Sequence, residues 1–153
     1  MKEVTKSIDV NVPVRVAYNQ WTQFEEFPRF MKHVDRVEQL DDTTIRWIAS
    51  IDGNEQQWLS DISEQDPDQR IAWHSTEGAS NAGVVTFHRL DDDETRVTVQ
   101  MQYDPDGMVE SMGAALGFLD RNLEDDLESF KDFIESRGHE TGAWRGEVEQ
   151  RTK

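Results

Sequence analysis

A histidine, a serine and a glutamate lie close together in the middle of the sequence, and hydrolases use these residue types as a catalytic triad. His74 directly precedes Ser75, and Glu77 follows two residues later. In such a triad the histidine takes the proton of the attacking serine, and the carboxylate orients the histidine. Residues 70–76 read as a β-strand, however, in which adjacent side chains point to opposite faces of the sheet. His74 and Ser75 therefore cannot share a hydrogen bond, and the sequence has no G-x-S-x-G turn to present the serine.

The histidines are the residues best suited to bind a transition metal, and they are His33, His74, His88 and His139. Their positions show none of the spacings, such as H-x-x-x-H, that place two imidazoles on one ion. The chain has no cysteine, which excludes disulfides, thiolate catalysis and cysteine-ligated zinc. His74 and His88 each follow an aromatic residue that the strand pattern turns inward, so both are expected to face outward. The sequence therefore predicts no metal site and no cofactor.

The strongly acidic composition limits the partners of the chain. Its 153 residues fit one domain and carry 32 acidic against 16 basic side chains, which gives a net charge of −16. Such a surface repels nucleic acid and anionic membranes, whereas it suits a basic protein partner. No segment approaches the ~20 apolar residues of a membrane span, and the N-terminus lacks the apolar stretch of a signal peptide. We therefore expect a cytoplasmic protein, monomeric or homodimeric, that neither binds nucleic acid nor spans a membrane.

Strand patterns dominate the first two thirds of the chain. Residues 7–12 alternate between apolar and polar side chains, which is typical of a half-buried strand. A helical stretch follows over residues 14–31, and Pro28 predicts that it divides near residues 22–24 into two short helices, with the proline in the first turn of the second. Six more strand-like segments lie within residues 33–103 and are separated by turn sequences. The sequence therefore predicts an antiparallel sheet that must cover its apolar face.

The periodicity changes in the C-terminal third. From Met108 to about Ser136 apolar residues recur every three or four positions, which predicts one long helix that Gly138 ends. The exposed face of this helix is expected to carry charged residues, namely Glu124, Asp125, Glu128, Lys131 and Asp132. Residues 139–153 show no periodicity. We therefore predict a folded domain over residues 1–138 and a flexible tail over residues 139–153.

Several segments resemble one known superfamily. The opening SIDVNVPVRVAYNQWTQFEEFPRFM is similar to that of the polyketide cyclase/dehydrase and coenzyme-Q-binding branch, in which a strand ends in a proline and the next helix bears Tyr18 and Trp21. The segments RIAWHSTEGASNAGVVTF and YDPDG also resemble members of that branch. Over residues 3–137 the chain thus resembles START-like (SRPBCC) proteins. The resemblance implies an α+β helix-grip fold, as in Bet v 1-like proteins, with a curved antiparallel sheet of about seven strands around a long C-terminal helix and two short helices after the first strand.

The resemblance also implies a cavity between the sheet and the long helix. Its walls would be the inward side chains of the strands, the facing side chains of the helix and the segment around FPRFM. These candidates are Phe24, Phe27, Phe30, Met31, Trp47, Trp58, Trp73, Ser75, Phe87, Met101, Tyr103, Met112, Leu116 and Leu119. Large aromatic side chains and methionines suit a flat or flexible apolar ligand. The predicted loop over residues 77–83 would lie where the cavity opens. The alternative is that these side chains fill an ordinary core.

Three functions are compatible with the sequence. The first is binding of a hydrophobic small molecule, such as a lipid, an isoprenoid quinone or an aromatic or polyketide-like metabolite. The second is an enzyme of the polyketide cyclase/dehydrase (aromatase) type, which would assist aldol cyclisation and dehydration in the same cavity by acid–base catalysis. The sequence identifies no catalytic residue for this reaction, because the inward polar candidates Ser60, Ser75 and Tyr103 are not strong general bases at neutral pH. The same holds for Arg46 or Arg89, which a bulge would turn inward at the rim, whereas Glu77 lies in the loop that could reach the mouth of the cavity. The third is an acidic protein-interaction module.

Overall fold

One antiparallel sheet of seven strands forms the framework of the protein. The computed structural model describes residues 2–32, 34–51, 54–77, 81–103, 122–146 and 148. The strands are β1 (Lys2–Val10), β2 (Val34–Gln39), β3 (Thr44–Ile51), β4 (Asn54–Asp66), β5 (Arg70–Glu77), β6 (Asn81–Asp91) and β7 (Glu94–Tyr103). They lie in the order β1-β7-β6-β5-β4-β3-β2. Strands β2 to β7 thus form a meander, and β1 lies beside the last strand instead of the second.

The alternation of side chains predicted each of these strands, but the structure extends two of them. β1 begins at Lys2, before the predicted start at Ser7, and β6 begins at Asn81, inside the predicted loop 77–83. Both extensions lie against β7, where Lys2 and Asn81 each pair with Tyr103. Because backbone hydrogen bonds to a neighbouring strand hold these residues in the sheet, the alternation of their side chains does not indicate that they belong to a strand.

Two short helical elements follow β1. Helix α1 spans Val14–Trp21, and a 3₁₀ segment spans Phe24–Arg29. The break predicted near residues 22–24 is confirmed. Pro28 lies near the end of the 3₁₀ segment, and its expected place in the first turn of a helix was wrong. The reason is that the chain turns directly after Gln23, so the helical turn starts at Phe24 and the proline falls in its last residues.

The C-terminal helix α2 spans Leu123–Arg137 and presents an apolar stripe to the sheet. The buried residues of this stripe are spaced by three or four positions and are Leu123, Leu127, Phe130 and Ile134. Gly138 ends the helix as predicted, with a left-handed φ of 74° and its N–H donating to the Ile134 carbonyl at 2.9 Å. The predicted helical residues 108–121 lie outside the described residues. None of the described helices is long and apolar enough to cross a membrane.

An aromatic cluster joins the helical elements to one another. The ring of Trp21 lies 5.4 Å from Phe27 and 5.1 Å from Phe130, and Phe30 lies 5.2 Å from Phe130. Edge-to-face pairs of this kind contribute about 0.5–1.5 kcal/mol beyond the burial of their area. The sheet and α2 enclose this core in the α+β helix-grip arrangement that the sequence resemblance implies.

The segment after α2 lies across α1 and the end of β4. The fully buried side chain of Gln20 donates to Thr141 Oγ1 at 3.0 Å and accepts from the Thr141 N–H at 2.8 Å. Further along, the backbones of Val148 and Gln65 exchange two hydrogen bonds of 2.8 and 3.0 Å. These contacts give the segment a defined place on the molecule. Its predicted flexibility concerns motion in solution and stays a prediction.

Arg145 is a charged residue of this C-terminal segment that contacts two other elements. Its guanidinium donates to Asn19 Oδ1 at 2.6 Å and to Asp68 Oδ2 at 2.8 Å, and it lies 5.6 Å from the ring centre of Tyr18. Asp68 occupies the turn between β4 and β5 with a φ of 64°, a conformation that aspartate tolerates better than most residues. Arg145 thus ties the C-terminal segment to both α1 and the β4–β5 turn.

Candidate functional site

A cavity of about 100 Å³ lies between the sheet and the first turn of α2. Six neighbouring strands, β2 to β7, each contribute a side chain to it. Its described boundary consists of Met31, Val34, Trp47, Trp58, Trp73, Asn81, Met101, Leu123 and Asp126. Apolar walls with a few polar groups are typical of sites that bind small molecules.

Three tryptophans form the largest part of this boundary. Trp47 on β3 and Trp58 on β4 are directly opposite in the ladder, and their indole planes are within 6° of parallel at a centre distance of 6.2 Å. Trp73 extends the row on β5. Because side chains alternate along a strand, each of these indoles faces the concave side of the sheet. Behind the pair, the ring of Phe27 lies 5.7 Å from Trp47 and connects the wall to the aromatic core.

Asp126 is the one acidic residue on the described boundary of the cavity. It is only 5% exposed, and no described residue donates a hydrogen bond to its carboxylate. The pKa of this carboxyl is raised to about 7, chiefly by burial and also by the neighbouring charge of Asp125, and Lys32 opposes the shift. At neutral pH the carboxyl therefore exists in both its protonated and its ionised form.

A short polar row lies on the same concave face. Ser60 on β4 is paired with Ser75 on β5, and the N–H of Asn81 on β6 donates to Ser75 Oγ at 3.0 Å. Ser60 is buried, and its hydroxyl has no hydrogen-bond partner among the described residues. Asn81 alone of these three borders the cavity. The row thus gives the otherwise apolar wall a polar edge near Asn81.

The structure brings five of the sequence-predicted site residues together around the cavity. These are Met31, Trp47, Trp58, Trp73 and Met101. Tyr103 ends β7, and its side chain lies outside the described part of the chain, as do Met112, Leu116 and Leu119. Whether the residues around the cavity bind a ligand stays a prediction.

The other predicted site residues lie away from the cavity boundary. Phe24, Phe27 and Phe30 are packed among the rings of the aromatic core, and Phe87 lies 5.3 Å from the ring of Tyr18. Ser75 is half-buried beneath Asn81 in the polar row. His74 and His88 are exposed as predicted, which separates His74 from Ser75 and removes the triad.

Sequence reasoning missed four residues of the boundary, Val34, Asn81, Leu123 and Asp126. Asp126 had a detectable signal, because it comes three residues after Leu123 and four before Phe130, a spacing that places it on the apolar stripe of the helix. Asn81 lies four residues before Val85 and six before Phe87, which both face inward on β6. The alternation of side chains along the strand therefore places Asn81 on the inward face as well.

Comparison with known proteins assigns the chain to a family. Residues 10–132 match the model of the family described as polyketide cyclase / dehydrase and lipid transport. The chain belongs to this family. An uncharacterized 17.2 kDa protein in the melC2-rnhH intergenic region of Streptomyces lincolnensis is 54% identical over 149 residues, which are 97% of this chain and 99% of that protein.

Solved structures of this family's fold superimpose on most of the chain. The Zhui aromatase/cyclase from Streptomyces sp. R1128 matches with a TM-score of 0.75 and 19% identity, over 94% of this chain and 99% of its own. A START superfamily protein from Mycobacterium smegmatis matches with a TM-score of 0.72 and 13% identity, over 88% and 98%. At these identities the likeness establishes the START-like helix-grip fold.

Proposed function

We propose that this protein binds a flat, apolar small molecule of the aromatic or polyketide-like kind in the cavity beneath α2. The observation that carries the proposal is the convergence of three indoles and two thioethers on one space. Indole faces stack on flat ring systems, and burial of apolar area contributes about 25 cal/mol per Å². The family description, which names polyketide cyclisation and lipid transport, supports a ligand of this class.

The volume of the cavity sets a condition on binding. About 100 Å³ is less than the roughly 300 Å³ at the lower end of pockets that hold drug-sized molecules. Met31 and Met101 are unbranched side chains on the boundary, and methionine changes rotamer more easily than other large apolar residues. We therefore expect the ligand to displace at least one of these two side chains when it enters.

Asp126 restricts the chemistry of the ligand. Among the described residues none donates a hydrogen bond to this buried carboxyl, and a ligand group that supplies one offsets part of the cost of burying it. The proposed ligand is therefore an apolar ring system that carries a hydroxyl or carbonyl group, rather than a pure hydrocarbon.

The test uses menadione, a neutral naphthoquinone that quenches tryptophan fluorescence. We expect saturable quenching in the wild type and an affinity about twofold to tenfold weaker in Trp58→Phe, the range of one aromatic contact. Trp144→Phe is the matched control, because Trp144 lies in the C-terminal segment and outside the cavity. Equal weakening by both substitutions, or the absence of saturable quenching, would contradict the proposal.

A second candidate function is catalysis of aldol cyclisation and dehydration, and the observation that favours it is Asp126. A carboxyl with a pKa of about 7 can remove a proton from the carbon next to a ketone and can return one to the departing hydroxyl. In this scheme the α-carbon loses its proton to the carboxylate, the hydroxyl leaves as water with that proton, and a conjugated ketone forms.

The catalytic candidate is tested with 4-hydroxy-4-phenylbutan-2-one, whose dehydration product absorbs in the near ultraviolet. Turnover that is lost in Asp126→Asn and kept in Asp125→Asn would support catalysis, because Asp125 is an exposed neighbour on the same helix turn. Saturable binding of menadione without turnover of this ketone supports a carrier instead.

A further inference from the structure

Gly83 lies beneath the indole of Trp73. In the sheet it is directly opposite Trp73 on β5 and Met101 on β7, both of which border the cavity. A methyl group on Gly83 would lie 2.5 Å from Cζ2 and 2.7 Å from Cη2 of Trp73. Carbon atoms in favourable contact are about 3.5–4.0 Å apart. The indole therefore occupies the space that any other residue at position 83 would fill with its own Cβ.

We propose that Gly83 is a positioning residue that sets the depth of the cavity and thereby the size of the ligand. This inference rests on the function proposed above. Without a side chain at Gly83, the outer ring of Trp73 lies against the backbone of β6, so the indole forms part of the wall instead of standing in the cavity. Glycine in a strand often marks such a close approach.

An alanine at this position would make two close contacts, and only the one with the Trp73 indole can be relieved by moving a side chain. The methyl group would also lie 2.8 Å from the backbone oxygen of Gln100, which belongs to the β6–β7 ladder. That ladder runs from Asn81 to Asp91 and resists separation of the two strands. The Trp73 side chain, by contrast, borders open space and is only half-buried. The indole therefore tilts into the cavity and shortens it.

The consequence is a change in ligand size rather than a general loss of binding. A tilted indole removes the space next to Met101 and leaves the Trp47–Trp58 end unchanged, since those two side chains lie on other strands. Gly83→Ala should weaken the binding of a three-ring ligand more than the binding of a two-ring ligand.

The experiment compares menadione, with two fused rings, and 1,4-anthraquinone, with three, by fluorescence titration. For Gly83→Ala we expect the affinity for 1,4-anthraquinone to fall about tenfold and the affinity for menadione to change less than about threefold, within the coupling seen between contacting residues. Gly142→Ala is the matched control, because its methyl group meets only the far end of the flexible Gln23 side chain, 2.7 Å from Oε1. This control should leave both affinities unchanged.

A double variant separates positioning from simple destabilisation. In the Trp73→Leu background the overlap with the indole is gone and only the 2.8 Å approach to the Gln100 backbone oxygen remains, so adding Gly83→Ala should no longer discriminate between the two quinones by more than about twofold. An equal effect of Gly83→Ala with and without Trp73, or equal losses for both quinones, would overturn the inference. If the wild type binds neither quinone, the proposed function fails. If the wild type binds both quinones and Gly83→Ala binds both with unchanged affinity, the proposed function stands and the role of Gly83 is refuted.

Discussion

Replacing Asp126 by asparagine should flatten the dependence of stability on pH and make the protein relatively more stable in alkaline solution. The carboxyl ionises with a pKa near its ordinary value of 3.8 in the unfolded chain and with a pKa of about 7 in the folded protein, chiefly because it is buried. The folded state therefore binds a proton more tightly than the unfolded state. The tighter proton binding by Asp126 in the folded state stabilises the protein fully below about pH 4, and this stabilisation is lost as the pH rises through 7.

The size of this loss follows from the two pKa values. Each tenfold difference in proton affinity corresponds to about 1.4 kcal/mol, so complete ionisation of Asp126 in the folded state costs about 4 kcal/mol relative to the unfolded chain. Part of that cost already appears at pH 5. Between pH 5 and pH 8 the wild type should lose about 3 kcal/mol of stability relative to Asp126→Asn.

Urea denaturation at pH 5 and at pH 8 measures this difference directly. The quantity to compare is the change between the two pH values for each protein, because the buried amide of the variant has its own cost that does not vary with pH. Two further substitutions test the cause of the shift. Asp125→Asn should lower the pKa of Asp126, and Lys32→Gln should raise it, since these residues oppose each other in their effect.

Two results would refute this reasoning. If the wild type and Asp126→Asn change in parallel between pH 5 and pH 8, within about 0.5 kcal/mol, the carboxyl does not carry a raised pKa. If Asp125→Asn and Lys32→Gln move the pKa in the same direction, local charge is not what modulates it.

Three other substitutions test the packing and the surface contacts. Phe130→Ala should reduce the free energy of unfolding by about 4 kcal/mol, because the ring is fully buried 5.1 Å from Trp21; a loss below about 1 kcal/mol in urea would contradict this packing. Gln20→Ala should speed hydrogen exchange in residues 139–146 by removing both bonds to Thr141, and unchanged exchange would mean that the segment is held elsewhere or is already mobile. Arg96→Gln should cost below about 1 kcal/mol at pH 7, since it removes an exposed ion pair with Asp9. Because Arg96 holds the pKa of Asp9 below 3.8, this small loss should disappear as Asp9 is protonated in acid, and a loss that persists there argues against the pair.

The tryptophan wall was predictable from the sequence because it depends only on local geometry. Trp47, Trp58 and Trp73 each lie an even number of residues from other inward side chains of their strands, and the period of two fixes their face. The end of α2 at Gly138 was predictable for a similar reason, since one residue type favours that backbone conformation. Patterns within a single element thus carried most of the fold.

The division between core and cavity was not predictable in this way. Phe87 and Trp73 are both inward residues of neighbouring strands, yet one packs against Tyr18 and the other borders open space. The two positions differ in how much space is filled by side chains of α1 and α2, and these helices are distant from both strands in sequence. Asp126 was missed because a charged residue is normally assigned to the exposed face, and only its position relative to Leu123 indicated otherwise.

The pairing of β1 with β7 also has a consequence for the order in which the protein folds during synthesis. Ser7 and Thr98, whose hydroxyls share a hydrogen bond, are 91 residues apart in sequence. The ribosome must therefore deliver most of the chain before β1 has a partner, and the loop that closes then is long. Until that moment the apolar face of β1 is exposed to other nascent chains. The polar residues that alternate with this apolar face, among them Asp9 and the exposed Glu3, disfavour pairing of the unpartnered strand with other chains.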